Sequence, residues 1–589
     1  MNNLKYLAGL LILLAVSCTK PLTEEQKNAD SVLLKQVHEY TLNTDGSTDY
    51  HYYHQRAYNT YQSFHRYYGE SFVIYNPNNQ VLTINKSETK MADGKMVQSP
   101  ENAFNLVLPF QAANAPAYNH LREMVITHVG LEIGAVVEFD YTLHSDAGVS
   151  PFFAQKILLN ESSPVKELEI VVRVPKGENL NYFVTNQSDN IKTNKVTKGD
   201  FDVYTWKASE LKALSNESHQ VEGLADYQTL VFSNVDLAEG NGILSEALTK
   251  EFSPDDSMKE FLQGKSKTCA DVEAIRSYVV GSMNSYWVEP AYCGYQFRSP
   301  AEVWASNGGT EAEKAILLAS MLKHIGLNAN VAMAAYPIYL DKTVGCPAAF
   351  EKYLVKVDVE GEAKYLDVLS NRGQVPTSMV IVSTNEDIST LDFNIAEPAK
   401  QTAEFKAELN LTSKGVIVDG TLALSDYAKA KGLLTNIPNS QLVTTENTDT
   451  EDLTVITVTS KALNTLQAGD YISYSFPRIT QGLASANLHE LATERVTRLE
   501  LPNALDETYQ FTIKLEPGFE FVSPEHNEVV ENEAGKVSVS YTLNNEELLI
   551  NRSLVVNQRI IPVNQYEAFR NLYSVWMDQN LNSIQVRKL

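Results

Sequence analysis

The stretch from Asn307 to Gly326 constrains the fold of this chain more than any other part of it. A pair of glycines precedes Thr310, and Glu313 follows three residues later. This is the spacing of a capping box, in which the cap residue and the third helical residue each bind the other's backbone N–H. Apolar residues then recur at helical spacing until Gly326, a residue type that commonly ends helices. The stretch therefore predicts a helix that is buried in a core.

The order Gly-Thr-x-Ala-Glu-Lys-Ala-x-Leu-Leu, which runs from Gly309 to Leu318, resembles the nucleophile helix of bacterial transglutaminase-like proteins. The resemblance implies a papain-like α+β core with a catalytic cysteine in the first turn, where the helix N-terminus stabilises the thiolate. Glu311 stands in that position. A helix N-terminus also favours a carboxylate, by about 0.3–1 kcal/mol if it is exposed, and should lower its pKa. A carboxylate, however, lacks the nucleophilic sulfur.

The same resemblance implies a histidine and an aspartate on the strands that follow the helix. Residues 353–367 read as a hairpin that turns at Glu360-Gly361, and counting outward from Glu360 places Tyr353 opposite Asp367. Tyr353 is then expected in the histidine position, where it could donate its hydroxyl to Asp367. A phenol with an ordinary pKa near 10 does not accept a proton at neutral pH as imidazole does. We therefore expect the core to be catalytically degenerate, with only the aspartate kept.

The cleft that holds the active site in the family is then expected, in this chain, to bind a peptide, a glycan or an envelope protein partner. Its candidate residues are Glu311, Tyr353, Asp367, Trp304 and Cys346. The sequence contains no His-Glu-x-x-His motif, and neither a metal nor a cofactor is expected.

A second hypothesis is an amide-acting enzyme of the transglutaminase or protease kind that uses Cys346 or Cys293 as its nucleophile. The same two cysteines could instead form a disulfide or remain inert thiols. The enzyme could also be a hydrolase in which Glu311 and Asp367 act as an acid/base pair. This mechanism requires that one of the two carboxyl groups has a raised pKa. A third hypothesis is a purely structural lipoprotein.

The N-terminus predicts export and a lipid anchor. Lys5 precedes an apolar run from Leu7 to Val16, which is too short to span a bilayer and is typical of a signal peptide. Cys18 then follows small residues, which resembles the lipobox of bacterial lipoproteins, cut before the cysteine that carries the lipid. Thr19, rather than aspartate, favours the outer membrane by resemblance to sorting in Gram-negative bacteria. Either face of that membrane remains possible.

The overall charge argues against nucleic-acid binding. The 589 residues contain 48 Lys+Arg and 73 Asp+Glu, a net charge of -25. Such a chain repels polyphosphate and has no basic stripe that could release counterions from DNA or RNA.

The alternation of apolar and polar residues predicts three folded regions after a signal peptide (1–17) and a lipidated tether (18–31). Strand patterns such as Val137–Leu143 and Leu168–Val174 predict an antiparallel β-sandwich over 32–239. The segment Val129–Glu138 resembles an N-terminal all-β domain of unknown function that often precedes transglutaminase-like cores. Residues 240–395 place helices before strands, as an α+β domain does.

The last region, 396–589, again shows strand alternation and is expected to be a C-terminal β domain. It ends in a predicted helix whose apolar stripe, from Tyr566 to Met577, should dock on its own sheet. Whether the region is one domain or two is left open.

The densest cluster of His and Tyr residues is His51-Tyr52-Tyr53-His54, with His65, Tyr67 and Tyr68 nearby. The cluster could form a platform for a sugar or a peptide, because aromatic rings stack on apolar faces and phenols donate hydrogen bonds. An exposed β-ribbon, in which tyrosine is a good strand former, is the favoured interpretation.

Overall fold

The computed structural model describes residues 21–369, 378–425, 442–449, 453–460, 466–478, 483, 488, 491, 493–522 and 525–589. The predicted signal peptide and Cys18 lie outside these residues. Within the described ranges, every helix is too short or too polar to cross a bilayer.

The N-terminal region is built on one eight-stranded sheet. Its strands, with those of two smaller sheets, are β1 Ser31–Leu42, β2 Thr48–Tyr58, β3 Glu70–Tyr75, β4 Gln80–Lys90, β5 Met96–Gln98, β6 Phe104–Val107, β7 Arg122–Thr127, β8 Val136–Ser145, β9 Ala154–Leu158, β10 Val165–Pro175, β11 Asn181–Val184, β12 Ile191–Lys198, β13 Phe201–Leu211 and β14 Thr229–Ser233. The large sheet has the order β12-β13-β10-β1-β2-β8-β4-β5, and the small sheets have the orders β11-β14-β9 and β3-β7-β6.

The sheets of this region pack face to face, as the predicted sandwich requires. Ile170 and Val172 of β10 and Trp206 of β13 meet Leu230 and Phe232 of β14 in one buried cluster. The pairing of β10 with β1 is parallel, which the prediction of antiparallel strands missed, whereas its pairing with β13 is antiparallel. A parallel pair needs a long connection, and here residues 43–164 supply it.

The predicted tether is folded in its second half. Thr23 and Gln26 form a capping box that starts a short helix, α1 Glu24–Asn28. Gln26 is only 3% exposed, and its amide donates a 2.6 Å hydrogen bond to Glu210 Oε2 on β13. The segment expected as a short tether, 18–31, is therefore part of the folded N-terminal region from Thr23 onward. The Thr-x-x-Gln spacing was the local signal for this helix.

The His/Tyr cluster lies on β2, which is an interior strand between β1 and β8. The expectation of an exposed ribbon is wrong for this reason. Tyr52 and His54 stack edge-on along one face of the sheet, where burial holds the pKa of His54 well below its ordinary value. His51 points to the other face and lies 2.9 Å from Asp140.

The middle region is the predicted α+β core. Its elements are α2 Leu237–Leu248, α3 Asp256–Leu262, α4 Cys269–Gly281, β15 Asn284–Ser285, α5 Pro300–Ala305, β16 Gly308–Gly309, α6 Glu311–His324, β17 Asn328–Ala335, β18 Phe350–Val359, β19 Glu362–Asp367 and β20 Val380–Ser383. The antiparallel sheet β19-β18-β17-β20 packs against α6, and every α6 residue from Ala312 to Leu322 is buried. The helix is therefore enclosed on all sides, not on one face alone.

Helix α2 crosses the position where the sequence placed the start of the core. It is capped by Asp236, and Leu237, Leu244 and Leu248 are buried with the residues of α6 and the sheet. A boundary between residues 239 and 240 would therefore divide a helix that belongs to the core.

The C-terminal region contains β21 Gln401–Thr412, β22 Gly415–Ser425, β23 Leu442–Asp449, β24 Leu453–Ser460, β25 Leu466–Ala468, β26 Tyr471–Ser475, β27 Leu499–Glu500, β28 Leu505–Leu515, β29 Phe519–Val522, β30 His526–Asn532, β31 Gly535–Asn544, β32 Glu547–Val556, β33 Ile560–Ile561, α7 Tyr566–Met577 and β34 Ser583–Lys588. An eight-stranded sheet, β23-β24-β22-β21-β28-β32-β31-β30, faces a four-stranded sheet, β25-β26-β34-β29.

One apolar cluster joins both of these sheets and α7. Phe569, Leu572 and Trp576 of α7 are buried in it, so the helix docks on its own sheets. The helix is not the last element, because β34 follows it and pairs with β26 and β29.

Candidate functional site

Helix α6 begins and ends where the sequence predicts. Thr310 is the N-cap, its N–H donates to Glu313 Oε2 at 2.9 Å, and Glu313 N–H donates back to Thr310 Oγ1 at 3.4 Å. Gly326, with φ +89°, stands just past the C-terminus in the left-handed region. Glu311 is consequently the first helical residue, at the positive end of the helix.

The paired glycines serve close packing rather than a turn. The left-handed residue before the helix is Asn307, with φ 48°, whereas neither glycine has a positive φ. A Cβ on Gly308 would lie 2.7 Å from the ring of Tyr286. Gly308 and Gly309 also pair in parallel with Asn284 and Ser285, so the backbone passes directly beneath that tyrosine.

Glu313 also binds side chains outside the helix cap through its carboxylate. Its carboxylate is fully buried and accepts hydrogen bonds from Arg298 Nε at 2.9 Å, from Arg298 Nη2 at 2.8 Å and from the Tyr118 hydroxyl at 2.6 Å. Burial alone would raise the pKa of Glu313, but the bonds from Arg298 and Tyr118 outweigh it and hold the pKa below its ordinary value. Tyr118 belongs to the N-terminal region, so this network ties that region to the start of α6.

Glu311 is a partly buried carboxyl group whose pKa shifts against the expectation. Burial raises the pKa to about 7, while the Lys352 ammonium and the backbone N–H of Tyr353 lower it and Asp367 raises it. The helix N-terminus was expected to lower this pKa. Desolvation is the larger effect here, because the group is enclosed by the β18 segment instead of facing water.

The hairpin of β18 and β19 has a different register from the one expected. Glu360 and Gly361 form a two-residue turn, with φ 54° and 88°, so Val359 pairs with Glu362. Five pairs further along, Leu354 rather than Tyr353 lies opposite Asp367. A shift of one residue moves side chains to the other face of a strand, so the predicted bond between Tyr353 and Asp367 does not form in this register.

The side chain that reaches Asp367 is that of Lys352. Its Nζ lies 3.9 Å from Asp367 Oδ2, and it is two residues from Leu354 along the same strand face. Asp367 is 3% exposed, and its Oδ1 accepts a 2.6 Å hydrogen bond from the N–H of Leu369. Glu311, Lys352 and Asp367 therefore interact as a carboxyl–ammonium–carboxyl cluster, which we call the acid–lysine cluster.

A second lysine lies behind this cluster. Lys314 is fully buried, and its Nζ donates to the Met283 carbonyl at 3.3 Å and to Ser285 Oγ at 3.0 Å. Burial lowers its pKa to about 8, although Asp367 opposes the shift. The environment of Asp367 therefore includes two amino groups of different burial.

Tyr353 points into the core. It is 4% exposed, its ring meets that of Phe297 edge-on at 6.1 Å, and burial, with Glu311 nearby, raises its pKa well above the ordinary value. The phenol is thus a neutral wall residue beside Glu311 and takes no part in the pair with Asp367.

Trp304, another predicted cleft residue, packs elsewhere. Its ring contacts Phe261 and Tyr278, and its Nε1 donates to Ser257 Oγ at 2.8 Å. These partners belong to α3 and α4. Its contacts therefore support the packing of α5 on these helices and do not include the acid–lysine cluster.

The cysteines of the core are free thiols, so the disulfide considered for Cys293 and Cys346 is not present. Cys346 is 1% exposed, and burial raises its pKa to about 12. Burial, together with the negative charge of Glu313, raises the pKa of Cys293 to about 11, and its Sγ lies 3.2 Å from the Pro290 carbonyl. Both thiols remain protonated at neutral pH, which removes the nucleophilic form.

The part of the chain that the structure describes contains no group of three or more His, Cys, Asp or Glu side chains placed to hold a metal ion.

Sequence reasoning missed Lys352, Lys314 and the Arg298–Tyr118 pair. For Lys352 a signal existed: a two-residue turn at Glu360-Gly361 would have placed it on the same face as Asp367. The other contacts depend on tertiary packing and have no local pattern.

The fold defines a multidomain protein with an α+β core between two β regions. Comparisons with known proteins agree with this class. Residues 44–215 match a domain of unknown function with solved structures, DUF3857, and residues 471–586 match a second one, DUF3858. No curated protein matches the chain.

Among solved structures, the chain is similar to a protein from Parabacteroides distasonis ATCC 8503 described as a "putative protease". The match has 24% identity, a TM-score of 0.69, and covers 95% of this chain and 99% of that one. It shows a shared fold. A Cytophaga hutchinsonii protein described as a "putative cysteine protease" matches 39% of this chain and 88% of its own, with 11% identity and a TM-score of 0.18, too low to support an argument.

Proposed function

We propose that this chain is a lipid-anchored envelope protein whose transglutaminase-like core is catalytically degenerate and binds a ligand at the acid–lysine cluster. Of the three ligand classes considered, the charges favour a peptide over a glycan. Sugar sites usually present an aromatic face, and here Trp304 and Tyr353 are both packed against other side chains. A peptide or a protein partner offers the ammonium and carboxylate groups that complement Glu311, Lys352 and Asp367.

The observation that carries this proposal is the contact of Lys352 with Asp367. The resemblance implies an imidazole beside that aspartate, and the side chain found there is the amino group of Lys352. The only histidine in residues 240–395 is His324, at the other end of α6 from Glu311. Ion pairs of this kind can bind and orient a ligand without catalysing a reaction on it.

The test measures peptide binding by the protein lacking residues 1–18. A peptide array identifies ligands, and fluorescence polarisation then compares Glu311→Arg and Lys352→Glu with two charge-matched controls at exposed positions, Glu178→Arg and Lys198→Glu. Loss of a buried charge pair should weaken binding about tenfold or more. The controls should bind as the natural protein does. Equal affinity of all five proteins would contradict binding at the cluster.

One observation favours a second candidate, a hydrolase that uses carboxyl groups. A pKa of about 7 suits Glu311 for general acid–base chemistry, with Asp367 as the second carboxylate. The natural protein and Glu311→Gln should be compared on panels of glycosides and peptide amides. Turnover that Glu311→Gln abolishes would support the hydrolase, and no turnover by either protein is what the binding function requires.

The anchor and the domain limits are part of the proposal. We take Cys18 as the lipidated residue, the outer membrane as the location, and 32–235, 236–395 and 396–589 as the three regions. Metabolic labelling with a radioactive fatty acid should mark the natural protein and not Cys18→Ser. Equal labelling would show that the lipid is attached elsewhere.

A further inference from the structure

A separate cavity lies against the C-terminal half of α6. Its volume is about 250 Å³, and it is bounded by α6, the end of α2 with the chain that follows it, the middle of β17, and Thr384 just after β20. Leu248, Ile316 and Val331 form its apolar floor. Glu311 and the other members of the acid–lysine cluster do not line it, so this is a second cavity of the same domain.

Three basic side chains, Lys250, Lys323 and His324, line the cavity, together with the hydroxyl-bearing Thr249, Ser320 and Thr384. Within the described ranges, no carboxylate lines it. Among the residues that the structure describes, none of the three bases forms an ion pair. In a chain of net charge -25, a cavity lined only by basic charges is unexpected.

Part of this charge has an ordinary explanation. Lys323 and His324 are in the last turn of α6, where cations complement the partial negative charge of the helix C-terminus, and Lys250 follows the end of α2. That role needs only exposed side chains at helix ends. It does not explain the lowered pKa of Lys323, which is exposed as a residue but has an ammonium that is partly desolvated with no counter-ion to offset this.

His324 is also shared with a groove on its other side, which Asp256 and Glu260 line. Its ring meets the ring of Phe252 edge-on at 5.4 Å. The two lysines are therefore the charges that belong to the cavity itself.

We propose that this cavity is a binding site for a small amphipathic anion, in which a carboxylate, phosphate or sulfonate group is joined to an apolar body. The acidic group pairs with Lys250 and Lys323 and accepts hydrogen bonds from the hydroxyls at the rim. The apolar body covers Leu248, Ile316 and Val331. The volume is below the roughly 300–1,000 Å³ of drug-sized sites, so the ligand is small.

Three probes of equal shape test the proposal: 1-naphthalenesulfonate, uncharged 1-naphthalenemethanol and cationic 1-naphthylmethylammonium. Calorimetric titration of the protein lacking residues 1–18 should show that the anion binds about tenfold or more tightly than the other two. Tighter or equal binding of the cation would overturn the proposal.

Variants then locate the site. Lys250→Gln with Lys323→Gln should weaken binding of 1-naphthalenesulfonate about tenfold or more, whereas Lys192→Gln with Lys198→Gln on the exposed strand β12 should leave it unchanged. Unchanged affinity in the first pair would overturn the proposal. Ser320→Leu fills the cavity without removing a charge, and its melting temperature shows whether it folds. A folded Ser320→Leu that still binds the probe with natural affinity would also overturn it.

Discussion

Lys352 Nζ lies 3.9 Å from Asp367 Oδ2, across the two strands of one hairpin. This contact limits what the acid–lysine cluster can do, because Lys352 occupies the place where the transglutaminase-like resemblance implies a proton acceptor. The carboxylate is paired with an amino group where the resemblance implies an imidazole.

The register of the hairpin predicts which double variant restores a reactive thiol. In a Cys269→Ser background, Glu311→Cys with Lys352→His should react with iodoacetamide near neutral pH about tenfold faster than Glu311→Cys alone, since an imidazole beside Asp367 can take the thiol proton. The matched control is Glu311→Cys with Tyr353→His, whose imidazole would point into the core. Faster reaction of the control than of the Lys352→His variant would instead support the register in which Tyr353 lies opposite Asp367.

Glu311 should make stability depend on pH. Its folded pKa, about 7, lies above the unfolded value near 4.5, so its contribution to stability is full below about pH 4.5 and is lost as the pH rises through 7. Glu311→Gln should therefore gain stability relative to the natural protein between about pH 5 and pH 8, by about 2 kcal/mol after allowance for partial exposure. Urea unfolding of the core at each pH measures this difference in the free energy of unfolding. Glu251→Gln, at an exposed position, is the control. A pH-independent difference would contradict the raised pKa.

The buried network at the start of α6 should be essential for the core. Arg298→Met leaves the Glu313 carboxylate buried without its partner and should lower the free energy of unfolding by about 3–5 kcal/mol. Tyr118→Phe removes one hydrogen bond to a charged group and should cost about 1.5–3 kcal/mol. Chemical unfolding measures both.

Limited proteolysis tests whether Tyr118 also holds its own segment of the N-terminal region against the core. Because Tyr118 joins the N-terminal region to the core, its variant should also speed cleavage within residues 104–121. Cleavage at the rate of the natural protein would show that residues 104–121 are held by other contacts.

The thiols should differ in reactivity. Cys269 is only partly buried at the N-terminus of α4, and its Sγ lies 3.1 Å from both Lys364 Nζ and Glu360 Oε2. It should react with a disulfide reagent at neutral pH, whereas Cys293 and Cys346 should react only after unfolding. Mass spectrometry after timed labelling identifies the modified residue. Rapid labelling of either Cys293 or Cys346 in the folded protein would revive the hypothesis of a thiol enzyme.

Local signals in the sequence were sufficient for α6 and for the strand pattern. The capping box of Thr310 and Glu313 and the stop at Gly326 involve residues a few positions apart, so the chain itself specifies them. The class of fold, β regions around an α+β core, is likewise confirmed, because alternation and helical spacing persist over whole elements.

The details of the site could not be predicted in the same way. The register depends on Glu360 adopting a left-handed conformation, which a residue with a side chain seldom takes, and one residue of error exchanged Lys352 for Tyr353. The pKa of Glu311 depends on what covers it, and that covering comes from β18, about 40 residues further along the chain. The burial of Lys314 and Arg298 is a property of the packed core alone.

The docking of Gln26 against Glu210 sets the reach of the protein from a membrane. If the lipid is on Cys18, only residues 19–22 separate it from the cap of α1, and five extended links span at most about 18 Å. The N-terminal sheet is then confined to a thin layer next to the bilayer on whichever face the lipid lies. Any peptide bound at the acid–lysine cluster would then be held close to that membrane.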